Sequence, residues 1–312
     1  MVARRMADCS IEIAGVRLAN PLLAAAGTTG YGPELAEIFN VGYLGALTTK
    51  SITPESRIGN DPWRVVDLPS GMLNAIGLAN IGLERFRTEV VPQLAGLDTV
   101  VIGSIAGHTI EDYVTVAQAL DAVEQLPLLE LNISCPNTDT GRYFSDEPAA
   151  LSELLCAVKS VLQKTPMIVK LSPGSADVPL LALTAVEAGA DALCVGNTMP
   201  AMAVDPETGR SRIGRHAGGL SGPALHPVAA RVLHHVYEHL EKSGRRVPLI
   251  ATGGVSSWQD AAEFIVLGAH AVGIGTALMA DPKVPKRILR GLERWVERRG
   301  GNLEALRGSF QR

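Results

Sequence analysis

Eight short, nearly unbroken apolar runs alternate with eight segments of helically spaced apolar residues, and long polar insertions follow the second and sixth runs. Together these observations predict an α/β fold, a (β/α)8 barrel read as one domain over 1–312, with a short N-terminal hairpin and inserted active-site loops. Parallel strands covered on both faces read as continuous apolar runs rather than as alternation. Eight strand–helix pairs close a barrel more readily than they extend an open sheet. The hairpin comes first: IEIAGVRL (11–18) turns at Gly15 and reads as a plug for the barrel bottom. Strands one to three fall at 22–25, 45–49 and 99–105, and their helices at 34–39, 83–94 and 110–123. Strands four and five, 128–133 and 167–171, lead to helices at 151–163 and 178–188. Strands six to eight, 192–196, 249–252 and 271–274, precede helices at 224–240, 258–267 and 284–296. The insertions, 51–80 and 198–222, fall where barrels carry active-site loops.

Composition narrows the function. The chain has 312 residues, 46% of them hydrophobic, and its 28 Lys+Arg against 32 Asp+Glu give a net charge of −4. Such a length supports a core without disulfides or metals. Mild acidity and only 4% aromatic residues argue against a protein that tracks phosphates or stacks on bases. The start, MVARRMADCS, has no apolar run after its arginines, and no stretch approaches a membrane span. The four cysteines, Cys9, Cys135, Cys156 and Cys194, lie far apart, which fits a reducing cytoplasm. They also leave the chain unable to build an iron–sulfur cluster of its own.

Barrel chemistry gathers at the C-terminal ends of the strands. Those ends read Ala26-Gly27, Lys50-Ser51, Ser104, Asn132 to Asn137, Lys170, Asn197-Thr198, Gly253-Gly254 and Gly275-Thr276. Polar residues end strands anyway where strands meet solvent. Yet Lys50 and Lys170 directly follow apolar runs, where a buried charge requires an anionic partner. The glycine loops TGGVSS and GIGTALM sit after the last two strands, a common phosphate site of barrels, although tight turns would read the same. Neither loop matches GxGxxG and no Walker motif occurs, so a phosphate-bearing cofactor such as flavin mononucleotide (FMN) fits better than a dinucleotide or a triphosphate. In ELNISCPN, Pro136 and Asn137 put Cys135 on a loop, where a thiol of lowered pKa can act as base or nucleophile. His235-Val-Tyr-Glu238-His239 matches a zinc-peptidase pattern but falls on an outer helix, where a solvated helix face explains it. The Asn132-Ile-Ser134 sequon carries no meaning in a cytoplasmic chain.

NPLLAAAG (20–27), GMLNAIGL (71–78), ELNISCPN (130–137), VKLSP (169–173), GGLSGPALHPVA (218–229) and TGGV (252–255) carry a resemblance. Over nearly its whole length the chain resembles the class 1 dihydroorotate dehydrogenases. These are FMN enzymes of pyrimidine biosynthesis, and the likeness is greatest to the class 1B, NAD-linked catalytic subunit. The resemblance implies oxidation of (S)-dihydroorotate to orotate, with Cys135 as the base and one FMN per chain. It implies substrate contacts from Lys50, Asn74, Ala75, Ile76, Gly77, Leu78, Asn132, Asn137, Asn197 and Thr198. FMN contacts would come from Ala26, Lys50, Ser51, Ser104, Asn132, Lys170, Gly196, Gly222, Gly253, Gly254, Gly275 and Thr276, with no metal. Three positions depart from the family pattern: Ala26 stands for a serine, Ser104 for an asparagine, and Ala79 for Pro or Gln.

Further expectations follow from the resemblance: a homodimer, or a heterotetramer with a subunit carrying FAD and a 2Fe–2S cluster, and no nucleic acid or membrane partner. The alternatives are a fumarate-using class 1A enzyme, another flavin barrel acting on a dihydropyrimidine, a tRNA dihydrouridine synthase, and a non-catalytic FMN-binding barrel. Intact Cys135, Lys50 and the asparagines weigh against the last, and the charge weighs against the tRNA enzyme.

Overall fold

The structure, a computed structural model, describes residues 8–121, 123–134 and 144–311. Eight parallel strands close a barrel in sequence order: β1 (Leu22–Ala24), β2 (Ala46–Thr48), β3 (Val100–Ile105), β4 (Leu128–Asn132), β5 (Met167–Leu171), β6 (Ala192–Val195), β7 (Leu249–Thr252) and β8 (Ala271–Ile274). Strand β8 returns to β1 with Val272 opposite Leu22, which leaves no free edge in the barrel. All eight fall within or beside the runs expected from sequence, because their residues are buried by the barrel interior on one face and by helices on the other.

The helices follow the expected spacing with three differences, the first being that the segment expected at 34–39 is helical only over Pro33–Ala36. Segment 83–94, expected as one regular helix, opens into a π-turn at Phe86–Val90 between the short helical pieces Leu83–Arg85 and Val91–Leu94. Pro92 explains it: proline has no N–H to donate and crowds the carbonyl four residues back. The helix expected at 224–240 starts as a 3-10 turn at Pro223–Leu225 and continues from His226 to Lys242. Thr109 with Asp112 and Ser257 with Asp260 form reciprocal caps that start the helices Ile110–Leu120 and Trp258–Val266.

The hairpin Ile11–Ile13/Val16–Leu18 turns through Ala14 and Gly15, both at positive φ, as a two-residue hairpin loop demands. Ile13 and Leu18 are fully buried against Leu23, Ala46, Ile102, Leu128, Ile168, Ala192, Ile250 and Ala271, all near the strand starts. The hairpin therefore plugs the N-terminal end of the barrel, and each of its two buried side chains contributes about 1.5–3 kcal/mol. Two residues further along the same inward faces the lining turns polar: Thr48, Ser104, Glu130, Lys170, Cys194 and Thr252, every one buried. This layer separates the apolar plug from the open end of the barrel.

The two insertions join there. Val65–Leu68 and Gly71–Asn74 from the first, and Gly218–Ser221 and Met199–Ala201 from the second, form one antiparallel four-stranded sheet. Its central pairing sets Asn74 opposite Gly219. A single cover thus spans the C-terminal mouth, built by two segments that the sequence shows only as separate loops.

Candidate active site

Beneath that cover lies a cavity of about 960 Å³, walled by strand ends, both insertions and the loops after β7 and β8. Of the residues expected from sequence, Ala26, Lys50, Ser51, Asn74, Ile76, Gly77, Leu78, Asn132, Lys170, Gly196, Asn197, Thr198, Gly222, Gly253, Gly254, Gly275 and Thr276 all line it. Ser104 and Ala75 do not. Ser104 lies one layer behind the wall, its hydroxyl 2.8 Å from Ser51 Oγ and its N–H donating to Thr49 Oγ1. Because side chains alternate along a strand, Ser104 points into the barrel, and its place at a strand end does not bring it to the surface. Ala75 donates its N–H to Arg64 O, which ties together the two arms of the first insertion. Cys135 and Asn137 lie outside the described residues.

Asn132 is oriented by its neighbours. Its side-chain oxygen accepts from Asn197 Nδ2 at 3.3 Å and from Ser134 Oγ at 2.7 Å, and its backbone carbonyl accepts from Tyr113 Oη. Its amide N–H groups are thereby left to donate to a ligand. Asn197 is fixed in turn, its oxygen accepting from the Thr198 N–H at 2.8 Å. Asn74 Nδ2 donates to Gly219 O across the cover sheet. A Cβ on Gly219 would stand 2.0 Å from Thr198 Oγ1, so only glycine lets the cover close over Thr198.

Two lysines face the cavity. Burial, then the neighbouring Arg64 charge, pulls Lys50 below the ordinary lysine value, and no described carboxylate lies within ion-pair distance. An unpaired, half-buried ammonium of this kind binds an anion. Lys170 is buried with its Nζ 3.8 Å from Glu130 Oε1. Burial is the largest influence and pushes Lys170 down, yet Glu130 and Cys194 together outweigh it and the net direction is up.

On the opposite wall Gly253 (φ +142°) and Gly254 (φ +71°) adopt left-handed backbone that L side chains rarely enter. The N–H groups of Gly254 and Thr276 donate to no described residue, and Thr276 opens the helix Thr276–Ala280. His226 packs under the glycine loop with Nδ1 3.1 Å from Gly253 O. Thr276 Oγ1 also donates to Ser221 Oγ at 2.8 Å, which links this wall to the cover. Sequence reasoning missed Ser221, Met72 and the mouth residues Asp281 and Arg287, which pair at 2.8 Å. None of them ends a barrel strand, and only the cover and the last helices carry them to the rim.

Free backbone donors on one wall, fixed amides on the other and a paired lysine below suit a phosphate-bearing, planar, electron-accepting cofactor beside an anionic substrate. The fold and the site define a barrel oxidoreductase of the FMN type. Among the described residues no group of three or more His, Cys, Asp or Glu side chains is placed to hold a metal, and no helix is long and apolar enough to cross a membrane.

Comparison with known proteins makes this specific. The dihydroorotate dehydrogenase family description matches residues 9–296. The chain is 42% identical over 294 residues to the dihydroorotate dehydrogenase B (NAD(+)) catalytic subunit of Pelobacter propionicus, covering 94% of this chain and 95% of that protein. It is 40% identical over 291 residues to a putative dihydroorotate dehydrogenase A (fumarate) of Aquifex aeolicus, covering 93% and 94%. The crystal structure of the Eimeria tenella dihydroorotate dehydrogenase in complex with ferulenol shares the fold, with a TM-score of 0.79 at 23% identity over 99% of this chain and 90% of that one. The chain belongs to the dihydroorotate dehydrogenase family.

Proposed function

We propose that the chain is the catalytic subunit of an NAD-linked dihydroorotate dehydrogenase of pyrimidine biosynthesis, oxidising (S)-dihydroorotate to orotate with one FMN. The observation that carries this reading is the convergence of Lys50, Asn74, Asn132 and Asn197 above Lys170, facing the free N–H groups of the glycine loops in one cavity. This donor set fits FMN. Gly253, Gly254, Gly275 and Thr276 would hold the phosphate, Ala26 would offer backbone only, and Lys170 would stabilise the reduced ring from its N1 edge. When bound, FMN supplies the acceptor for the hydride from C6 of the substrate.

The chain's own groups do the rest. Lys50 pairs with the substrate carboxylate. Asn74, Asn132, Asn137 and Asn197 hold the ring's carbonyl and N–H groups, which orients C6 toward the flavin and stabilises developing charge. Cys135, three residues beyond the β4 end that carries Asn132, takes the proton from C5. The cover sheet excludes water. Electrons leave through a separate subunit carrying FAD and a 2Fe–2S cluster, in a cytoplasmic homodimer or heterotetramer. The relatives named for NAD support this route, while those named for fumarate support a second reading in which the chain works without that subunit.

An anaerobic visible spectrum before and after adding dihydroorotate tests the first half-reaction. Bleaching of the yellow flavin band is the expected result, and a yellow protein that stays yellow refutes it. Reoxidation of the bleached chain by fumarate, but not by NAD alone, would select the second reading.

A further inference from the structure

Among the described residues Glu130 is the one buried carboxylate and Lys170 the one buried cation, and they meet inside the barrel. Both point inward from neighbouring strands. The β4–β5 register sets Asn132 opposite Lys170, so Glu130 lies one inward step deeper. Lys170 lines the cavity and Glu130 does not. The carboxylate therefore sits behind the ammonium, 3.8 Å away, with its Oε1 making no hydrogen bond. The other groups around the pair carry no charge. Ser104 on β3 and Thr252 on β7 are hydroxyls, and burial followed by the Glu130 charge pushes the Cys194 thiol on β6 up to about 12. The remaining charge facing the cavity from the strand ends is Lys50, itself cationic.

A lone ammonium at this depth loses its proton, because desolvation penalises the charged form. A carboxylate behind it reverses that balance while leaving the lysine's N–H groups free toward the cavity. We propose that Glu130 is a positioning residue for the flavin: it keeps Lys170 charged in both redox states, so that two-electron reduction takes up one proton rather than two. This rests on the reading above in which Lys170 faces the flavin's N1 edge. With Glu130, oxidised flavin gains two electrons and one proton, on N5, and the anion at N1 meets a lysine that is already charged. Without it, the lysine is neutral beside oxidised flavin. A second proton is then taken from water as charge appears, whether it settles on Lys170 or on N1.

The test is the pH dependence of the FMN midpoint potential across the neutral range, with dithionite as reductant and a reference dye. One proton per two electrons changes the reduction equilibrium tenfold per pH unit, about 30 mV, and two protons change it a hundredfold, about 60 mV. The wild type and Glu130→Asp, which retains the carboxylate, are expected to give the shallow slope, and Glu130→Gln the steep one. A shallow slope in Glu130→Gln, or a steep one in the wild type, overturns the proposal. If Glu130→Gln yields no folded flavoprotein, the Glu130→Gln/Lys170→Gln double variant decides. Recovery of folded protein identifies the unpartnered Lys170 as the fault and supports the pairing, whereas failure overturns it. Because dithionite replaces the substrate, an enzyme that ignored dihydroorotate would refute the proposed reaction and leave this titration readable.

Discussion

Replacing Gly254 by alanine tests whether the glycine loop after β7 is the phosphate cradle. Gly254 sits at φ +71°, and a Cβ there would meet Gly222 O and His226 N at 2.7 Å and His226 Cβ at 2.8 Å. Left-handed backbone costs a residue with a Cβ about 1–2 kcal/mol. Forcing a methyl into a packed site adds about 1–3 kcal/mol. Two of the three clashing atoms are backbone, so the loop itself must move, and in the empty protein it relaxes away from the conformation that offers its N–H groups. The cost then falls on cofactor binding, where 2–5 kcal/mol corresponds to roughly 30-fold to a few thousand-fold weaker FMN affinity. Quenching of flavin fluorescence on titration into apoprotein measures it. Gly301→Ala is the control. Its φ is +76° with nothing within 4 Å of the added Cβ, so it carries similar strain with no clash, outside the cavity wall. It is expected to lower stability by about 1 kcal/mol and to leave FMN affinity unchanged. An unchanged FMN dissociation constant in Gly254→Ala would refute the assignment of this loop.

Three other outcomes are expected. Cys135→Ala retains its flavin spectrum and loses turnover by ~10²–10⁴-fold in a steady-state assay, and near wild-type turnover would remove the cysteine from its role as base. His270 accepts a hydrogen bond from Leu249 N, and burial, then the Arg307 charge, holds its pKa down at about 4. The unfolded chain binds the proton more tightly, so stability is present above pH ~6.5 and is lost as pH falls toward 4. This amounts to about 2 kcal/mol between pH 7 and pH 5 in urea titrations, and His270→Gln should flatten that dependence. Ile13→Ala, at the fully buried tip of the plug, should lower the urea-unfolding free energy by about 2–5 kcal/mol without changing the flavin spectrum. A loss below 1 kcal/mol would mean the plug is dispensable.

The barrel was legible because its strands are buried on both faces, and burial of that kind writes itself as LLA, VVIGSI or MIVKL. The site's strand-end half was legible for a related reason: Lys50, Asn132, Lys170 and Asn197 interrupt or end such runs. The cover was not. Its strands are three or four residues long and mostly only partly buried, and they contain GGLS and MPA, where glycine and proline signal loops. The hydrogen bond from Asn74 to Gly219 spans 145 positions, far beyond any local periodicity. Ser104 shows the limit of the strand-end rule, since it ends a run yet faces inward beneath the wall. Glu130 is not legible from sequence because, inside LLELN, a single carboxylate reads as noise in an apolar strand until the barrel brings Lys170 beside it. The π-turn at Phe86–Val90 was masked by apolar spacing that suits a regular helix, and Pro92 was the residue that decided otherwise.

The shared cover has a consequence for how this site can change. Val65–Leu68 and Gly71–Asn74 have no roof to form until Gly218–Ser221 arrives, and Gly218–Ser221 in turn is held by Met72, Thr276 and Thr198 from three different parts of the chain. A substitution in one insertion is therefore felt in the other. Exchanging either insertion alone with that of a relative would leave a half-sheet with open edges over the mouth, while exchanging both moves a self-consistent lid. The two segments form one heritable part written in two places, and specificity at this mouth is inherited, or engineered, in pairs.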